Sequence, residues 1–144
     1  PLPNNKTTSK DENFTPRVKA IKNILSQWSR RKLSLKGKVT VINSLALSLI
    51  TYPATVLEVP QSILEEINTL LYKFVWDGKR PKIAAKVLES RTKLGGLKMP
   101  NIFFKVSSWQ LSWLQRAMKN PDSVWVHIID NLPNKHLKFV DMIW

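Results

Sequence analysis

Apolar residues recur at three- and four-residue spacing along most of the chain, and each such run predicts a helix with one buried face. Val18, Ile21, Leu25 and Trp28 form the first stripe, with Ile24 beside it and Arg17, Lys19, Lys22 and Gln27 mostly elsewhere. Pro16 suits a first helical turn, so the spacing predicts a helix over about 16–31. Residues 1–13 are polar and read as a tail or linker. Ser34 is placed to cap a second helix with the stripe Val39, Ile42, Leu45, Ala46 and Leu49. Gly37 costs that helix propensity and leaves room for another backbone, and Pro53 is expected to end or kink it near Tyr52.

The third stripe is the widest: Ile63, Leu64, Ile67, Leu70, Leu71, Phe74 and Val75. Pro60 opens this helix, Ser62 and Glu65 have capping-box spacing, and Asp77 with Gly78 stops it. A basic connector, KRPKI at 79–83, leads to a short helix over Ala84 to Glu89, and Gly95 with Gly96 marks a turn. Ile102 to Met118 reads as a further helix whose face holds Ile102, Phe103, Val106, Trp109, Gln110, Trp113, Leu114 and Ala117. Another short helix is expected over Pro121 to Asn131. The pattern therefore predicts a mainly all-α fold, a small helical bundle with a basic connector and a short irregular Gly-Gly segment. It divides into the tail 1–13, a bundle 14–78 and a following helical segment 79–144. Phe139, Met142, Ile143 and Trp144 have no downstream partners and Pro1 replaces an initiator methionine, so the chain is expected to be cut from a longer one.

Composition adds a partner to this architecture. With 144 residues, 43% of them hydrophobic, the chain can build one core. Its 23 Lys and Arg against 10 Asp and Glu give a formal net charge of +13, which predicts affinity for a polyanion. There is no cysteine, and His127 and His136 have no ligand cluster near them in sequence, so disulfides and thiolate metal sites are excluded. The apolar run Val39 to Leu49 is broken by polar residues and is shorter than the roughly 20 residues a bilayer span needs. The N-terminus lacks the apolar segment of a targeting peptide.

The charge is concentrated. Between Arg17 and Lys38 lie eight basic residues and no acid: Arg17, Lys19, Lys22, Arg30, Arg31, Lys32, Lys36 and Lys38. They straddle a helix end, a turn and a helix start, where long side chains reach outward to phosphates. The competing reading is a solvated face plus the ordinary preference for cations at a helix C-terminus. A second cluster runs from Lys73 to Lys98 and is densest at Lys79, Arg80 and Lys82 around Pro81. Trp28 and Trp76 sit at predicted helix ends, where stacking on nucleic acid competes with core packing, and packing is the favoured reading. No paired carboxylates, glycine-rich phosphate loop or nucleophile with a nearby base is present, so no catalytic residue is assigned and catalysis by this chain alone is not expected.

Three ordered blocks then narrow the reading. They are Trp28, Arg30, Arg31, Leu33, Ser34, Leu35, Gly37 and Lys38; Phe74 and Trp76 with Lys79, Arg80 and Pro81; and Gly95, Gly96, Leu97 and Pro100. In this order they resemble the region that follows the catalytic core in reverse transcriptases of non-LTR (LINE-type) retrotransposons, over roughly Phe14 to Trp113. The resemblance implies the thumb and post-thumb region, a helical clamp on the primer–template duplex. Arg30, Arg31, Lys32, Lys36 and Lys38 would then be phosphate contacts, and Lys79, Arg80 and Lys82 would extend the same surface. Leu33, Leu35, Val39, Ile42, Ala46 and Leu49 would carry the packing. The implied partners are an RNA/DNA or DNA duplex and the palm and fingers of the parent polymerase, with no membrane. The implied setting is an intracellular retroelement ribonucleoprotein, nuclear or cytoplasmic. The family's Tyr-x-Asp-Asp turn has no counterpart in this chain, so Mg2+ is implied only for the absent palm and no cofactor for the chain itself. The alternative is a helical interaction or packing module derived from a retroelement.

Overall fold

Phe14 is fully buried and shares a face with Val18, Ile21 and Leu25, so the first apolar stripe starts a turn earlier than Pro16 suggests. In the computed structural model, which describes residues 6–120, α1 spans Lys6–Ser29 and carries Pro16 in its interior. The expected start near Pro16 is thus corrected to Lys6. An interior proline costs about 3 kcal/mol through its missing N–H. Burying a side chain the size of Phe14 recovers about 1.5–3 kcal/mol, which offsets much of that cost.

The second helix follows its predicted start closely. α2 spans Leu35–Val41, and the Ser34 hydroxyl accepts from the Gly37 N–H at 3.2 Å. The nearest atoms a Cβ on Gly37 would meet are in the Leu33 and Ser34 side chains at 3.5 to 3.7 Å, ordinary contact distances, so no second backbone presses tightly there. α2 runs into a π-helical turn, Ile42–Ala46, in which the Leu47 N–H reaches the Ile42 carbonyl at 3.0 Å, and α3 follows at Ser48–Val56. The two helical stretches meet at a bend of 49°. This break lies upstream of Pro53, which instead sits buried inside α3. Pro53 deprives the Leu49 carbonyl of its donor four residues on, and Arg17 Nη1 donates to that carbonyl at 3.4 Å. The wide turn also changes the phase of the stripe. Leu45 is turned toward solvent, while Ile42, Ala46, Leu47 and Ile50 are buried.

α4 spans Gln61–Val75, with Ile63, Leu64, Ile67, Leu71, Phe74 and Val75 buried. The expected Ser62–Glu65 capping box does not form, because the helix begins at Gln61 and Ser62 already lies in its first turn. The Pro60 carbonyl accepts the Ile63 and Leu64 N–H groups at 3.1 Å, and Gln61 Nε2 donates to Glu65 Oε1 at 3.1 Å. Asp77 and Gly78 end α4 in the left-handed region, at φ 51° and 71°, and the Gly78 N–H closes on the Lys73 carbonyl at 2.8 Å.

A short α5, Ala85–Glu89, and a 3-10 turn, Thr92–Leu94, precede α6, Ile102–Lys119. The tight approach expected at Gly37 occurs at Gly96, where a Cβ would collide with the Ser90 carbonyl. Among the described residues there are six α-helices and no strand, an all-α bundle. One core joins Phe14, Ile21, Ile42, Ile50, Ile67 and Leu71 to Leu88, Met99, Ile102 and Val106, running through the expected division after Gly78. Within it α4 lies along α1, α1 also meets α3 and the π turn, and α2 touches α4. The first compact unit ends at Gln110, part-way along α6. The helix expected over 121–131 and the apolar residues at the C-terminus lie outside the described residues.

Candidate nucleic-acid interface

The C-terminal halves of α1 and α4 lie side by side, since Lys22, Ser26 and Ser29 face Leu70, Lys73 and Gly78 across a shared groove. Whatever follows each helix therefore leaves from the same end of the bundle. After α1 come Arg30, Arg31, Lys32 and Lys36; after α4 come Lys79, Arg80 and Lys82; all seven side chains are exposed. The fold thus brings together two segments that are more than forty residues apart in sequence. Both helix C-termini at this end carry partial negative charge, which the cations also offset.

Local contacts shape the first segment. Arg31 lies with its guanidinium carbon 4.5 Å from the centre of the half-buried Trp28 ring. That cation–π contact restrains the arginine while it stays open to solvent. Trp28 packs against the core and Trp76 is buried within it, so neither offers an open face for stacking on a base.

Lys38 is different, and its expected role as a phosphate contact is corrected. It is only 5% exposed, with its Nζ 2.7 Å from Asp77 Oδ1 and donating to the Val75 carbonyl at 3.1 Å. The same ammonium lies 5.9 Å from the Phe74 ring centre. Its donors face inward because α2 packs on the end of α4. Lys38 therefore pins α2 to the C-cap of α4, holding the roots of the two basic segments beside each other.

A second anchor was not anticipated from the sequence. The Tyr72 hydroxyl donates to Glu89 Oε1 at 2.8 Å, and Asn101 Nδ2 donates to the same oxygen at 3.3 Å. Asn101 Oδ1 in turn accepts from the Phe103 N–H at 3.1 Å, capping α6. Burial, and then the Glu89 carboxylate, push Tyr72 well above the ordinary tyrosine range, so it remains a donor. The basic connector is thus fastened on one side by Lys38–Asp77 and on the other by Tyr72–Glu89. The available hint was Glu89 itself, an isolated acid in a basic stretch at the end of a predicted helix.

Among the described residues, His, Asp and Glu side chains do not gather in threes able to hold a metal ion. Among the same residues, no single helix is long and apolar enough to cross a membrane.

The chain is similar to the Transposon TX1 uncharacterized 149 kDa protein of Xenopus laevis. The two are 29% identical over 117 residues, which cover 79% of this chain and 9% of that protein. The chain therefore spans less than a tenth of the relative's length. The similarity is distant and points to a retroelement origin for this helical segment. No protein-family model matches the chain, and no solved structure does either.

Proposed function

We propose that this chain is a non-catalytic, thumb-like part of a retroelement reverse transcriptase, an RNA-directed DNA polymerase, and that it grips the primer–template duplex through phosphate contacts that ignore sequence. The observation that carries this reading is the exit of both exposed basic segments from one end of the bundle, fixed there by the Lys38–Asp77 pair. The three ordered sequence blocks and the similarity to a transposon protein support the same origin.

Arg30, Arg31, Lys32 and Lys36 would meet the backbone of an RNA/DNA or DNA duplex, and Lys79, Arg80 and Lys82 would extend that contact along it. Arginine supplies paired donors to phosphate oxygens and lysine a mobile charge. Lys38 holds the frame instead of touching the ligand. Nucleotidyl transfer and its magnesium ions belong to the palm of the parent enzyme, and no step assigned to this chain runs through a metal.

Fluorescence anisotropy with labelled duplexes tests the reading. Each phosphate neutralised adds about −0.9 to the slope of log affinity against log salt, so wild-type binding should weaken steeply as salt rises. Replacing Arg30, Arg31 and Lys32 together by Gln should weaken unrelated sequences equally. A flat salt response, or a triple variant that binds like wild type, overturns it.

A second reading, a retroelement-derived packing module, is favoured by Tyr52 and Val56, which are 76% and 59% exposed and one turn apart on α3. Self-association without duplex binding would support that module instead.

A further inference from the structure

The groove between α1 and α4 has a volume of about 530 Å³, within the roughly 300–1,000 Å³ typical of small-ligand sites. It is open to solvent and has two chemistries. Leu25, Leu70 and Phe74 supply apolar surface from buried or half-buried positions, while the exposed Lys22 and Lys73 face one another from the two helices. The lining also includes one carboxylate, Asp77, which lies 2.7 Å from Lys38 Nζ and is neutralised by it. The groove is therefore net positive over an apolar surface.

Resting on the duplex-grip reading above, we propose that this groove holds an unpaired nucleotide of a strand whose duplex part lies on the basic segments. The base would pack chiefly on the half-buried Leu70 and touch only the groove-facing edges of the buried Leu25 and Phe74, and its flanking phosphates would meet Lys22 and Lys73. An apolar surface has little to offer a duplex, whose bases are already stacked inside, whereas an unpaired base can bury its exposed faces on apolar side chains beside cations that follow the backbone. Charge complementarity alone would also admit an acidic peptide. The nucleotide is favoured because the groove opens at the end of the bundle from which Arg30 to Lys36 and Lys79 to Lys82 extend, so one strand can serve both.

The experiment compares the affinity of the 144-residue chain for a blunt duplex with that for the same duplex carrying a short single-stranded overhang, at fixed salt. The overhang should tighten binding about tenfold. Ser26→Phe, which fills the groove from an exposed position on α1, should bring the ratio of the two affinities close to one, with circular dichroism verifying the fold. Lys22→Gln combined with Lys73→Gln should shrink the same ratio. Equal affinity of wild type for both ligands, with salt-sensitive duplex binding intact, overturns the groove proposal and leaves the grip reading standing. Overhang binding lost in Ser26→Phe, with no blunt-duplex binding at all, supports the groove and overturns the grip. Binding of neither ligand overturns both. An acidic leucine-containing peptide that outcompetes the overhang in wild type, but not in Ser26→Phe, reassigns the groove to protein and overturns the proposal.

Discussion

At the scale of single residues, Lys38 and Asp77 show how one side chain's role depends on a neighbour that sequence does not bring near. Lys38 belongs to a basic run and looks no different from Lys36, yet α2 packing against α4 turns its ammonium inward. Replacing Lys38 by Met keeps the stem and removes the charge, leaving the Val75 carbonyl and Asp77 without their donor. Because the Asp77 side chain is 55% exposed, the expected loss is discounted to about 1–2 kcal/mol, read by urea unfolding. Asp77→Asn should cost less than Asp77→Ala, since Asn tolerates the left-handed backbone at φ 51° and Ala does not. Equal losses would show that backbone conformation plays no part. The adjacent glycines make a similar contrast. Gly95→Ala meets open space and pays only for its φ of 81°, whereas Gly96→Ala drives a Cβ into the Ser90 carbonyl and should destabilise more. The Gly-Gly pair was legible in the sequence as a turn, but the division of roles within it was not.

At the scale of elements, stripe spacing located α4, α5, α6 and the start of α2 to within a residue or two, because each presents one apolar face to a common core, whereas the single helix expected from Ser34 to about Tyr52 is divided into α2, the π turn and α3. Deviations arose where backbone hydrogen bonding leaves the 3.6-residue repeat. The π turn exposes Leu45, and the burial of Phe14 carries α1 through Pro16. The π turn has no mark in composition or spacing, whereas Phe14 stands in phase with Val18 and Ile21 and is outweighed by the expectation that Pro16 opens the helix. The anchor between α4 and α5 makes a prediction with a definite sign. The folded state raises the Tyr72 pKa above its ordinary 10.0, so the folded chain holds that proton more tightly than the unfolded chain does. Its contribution is fully present below about pH 10 and is lost as pH climbs beyond that value. Tyr72→Phe should therefore cost about 1 kcal/mol at neutral pH and flatten the alkaline fall in stability measured by denaturation at stepped pH. An unchanged alkaline slope would rule out this proton as its source.

At the scale of the whole molecule, proximity of the two basic segments comes from α1 and α4 running side by side to a common end. The charge clusters were legible as composition; their meeting required the packing, which no local pattern encodes. If both segments lie on one duplex, neutralising either should reduce the salt slope by the phosphates that segment contacts. Gln at Arg30, Arg31 and Lys32, or at Lys79, Arg80 and Lys82, should each lower the slope by up to about 3, and the combined variant by close to the sum. Shortening the duplex should distinguish a shared ligand from two independent patches. On a duplex too short to reach both segments, neutralising either segment alone should change the slope little, because the other still binds, and only the combined variant should lose binding. Slope reductions that fail to add even on a duplex long enough for both would mean that the segments bind separate molecules, and the Lys38–Asp77 pair would then hold the fold together without aligning a grip.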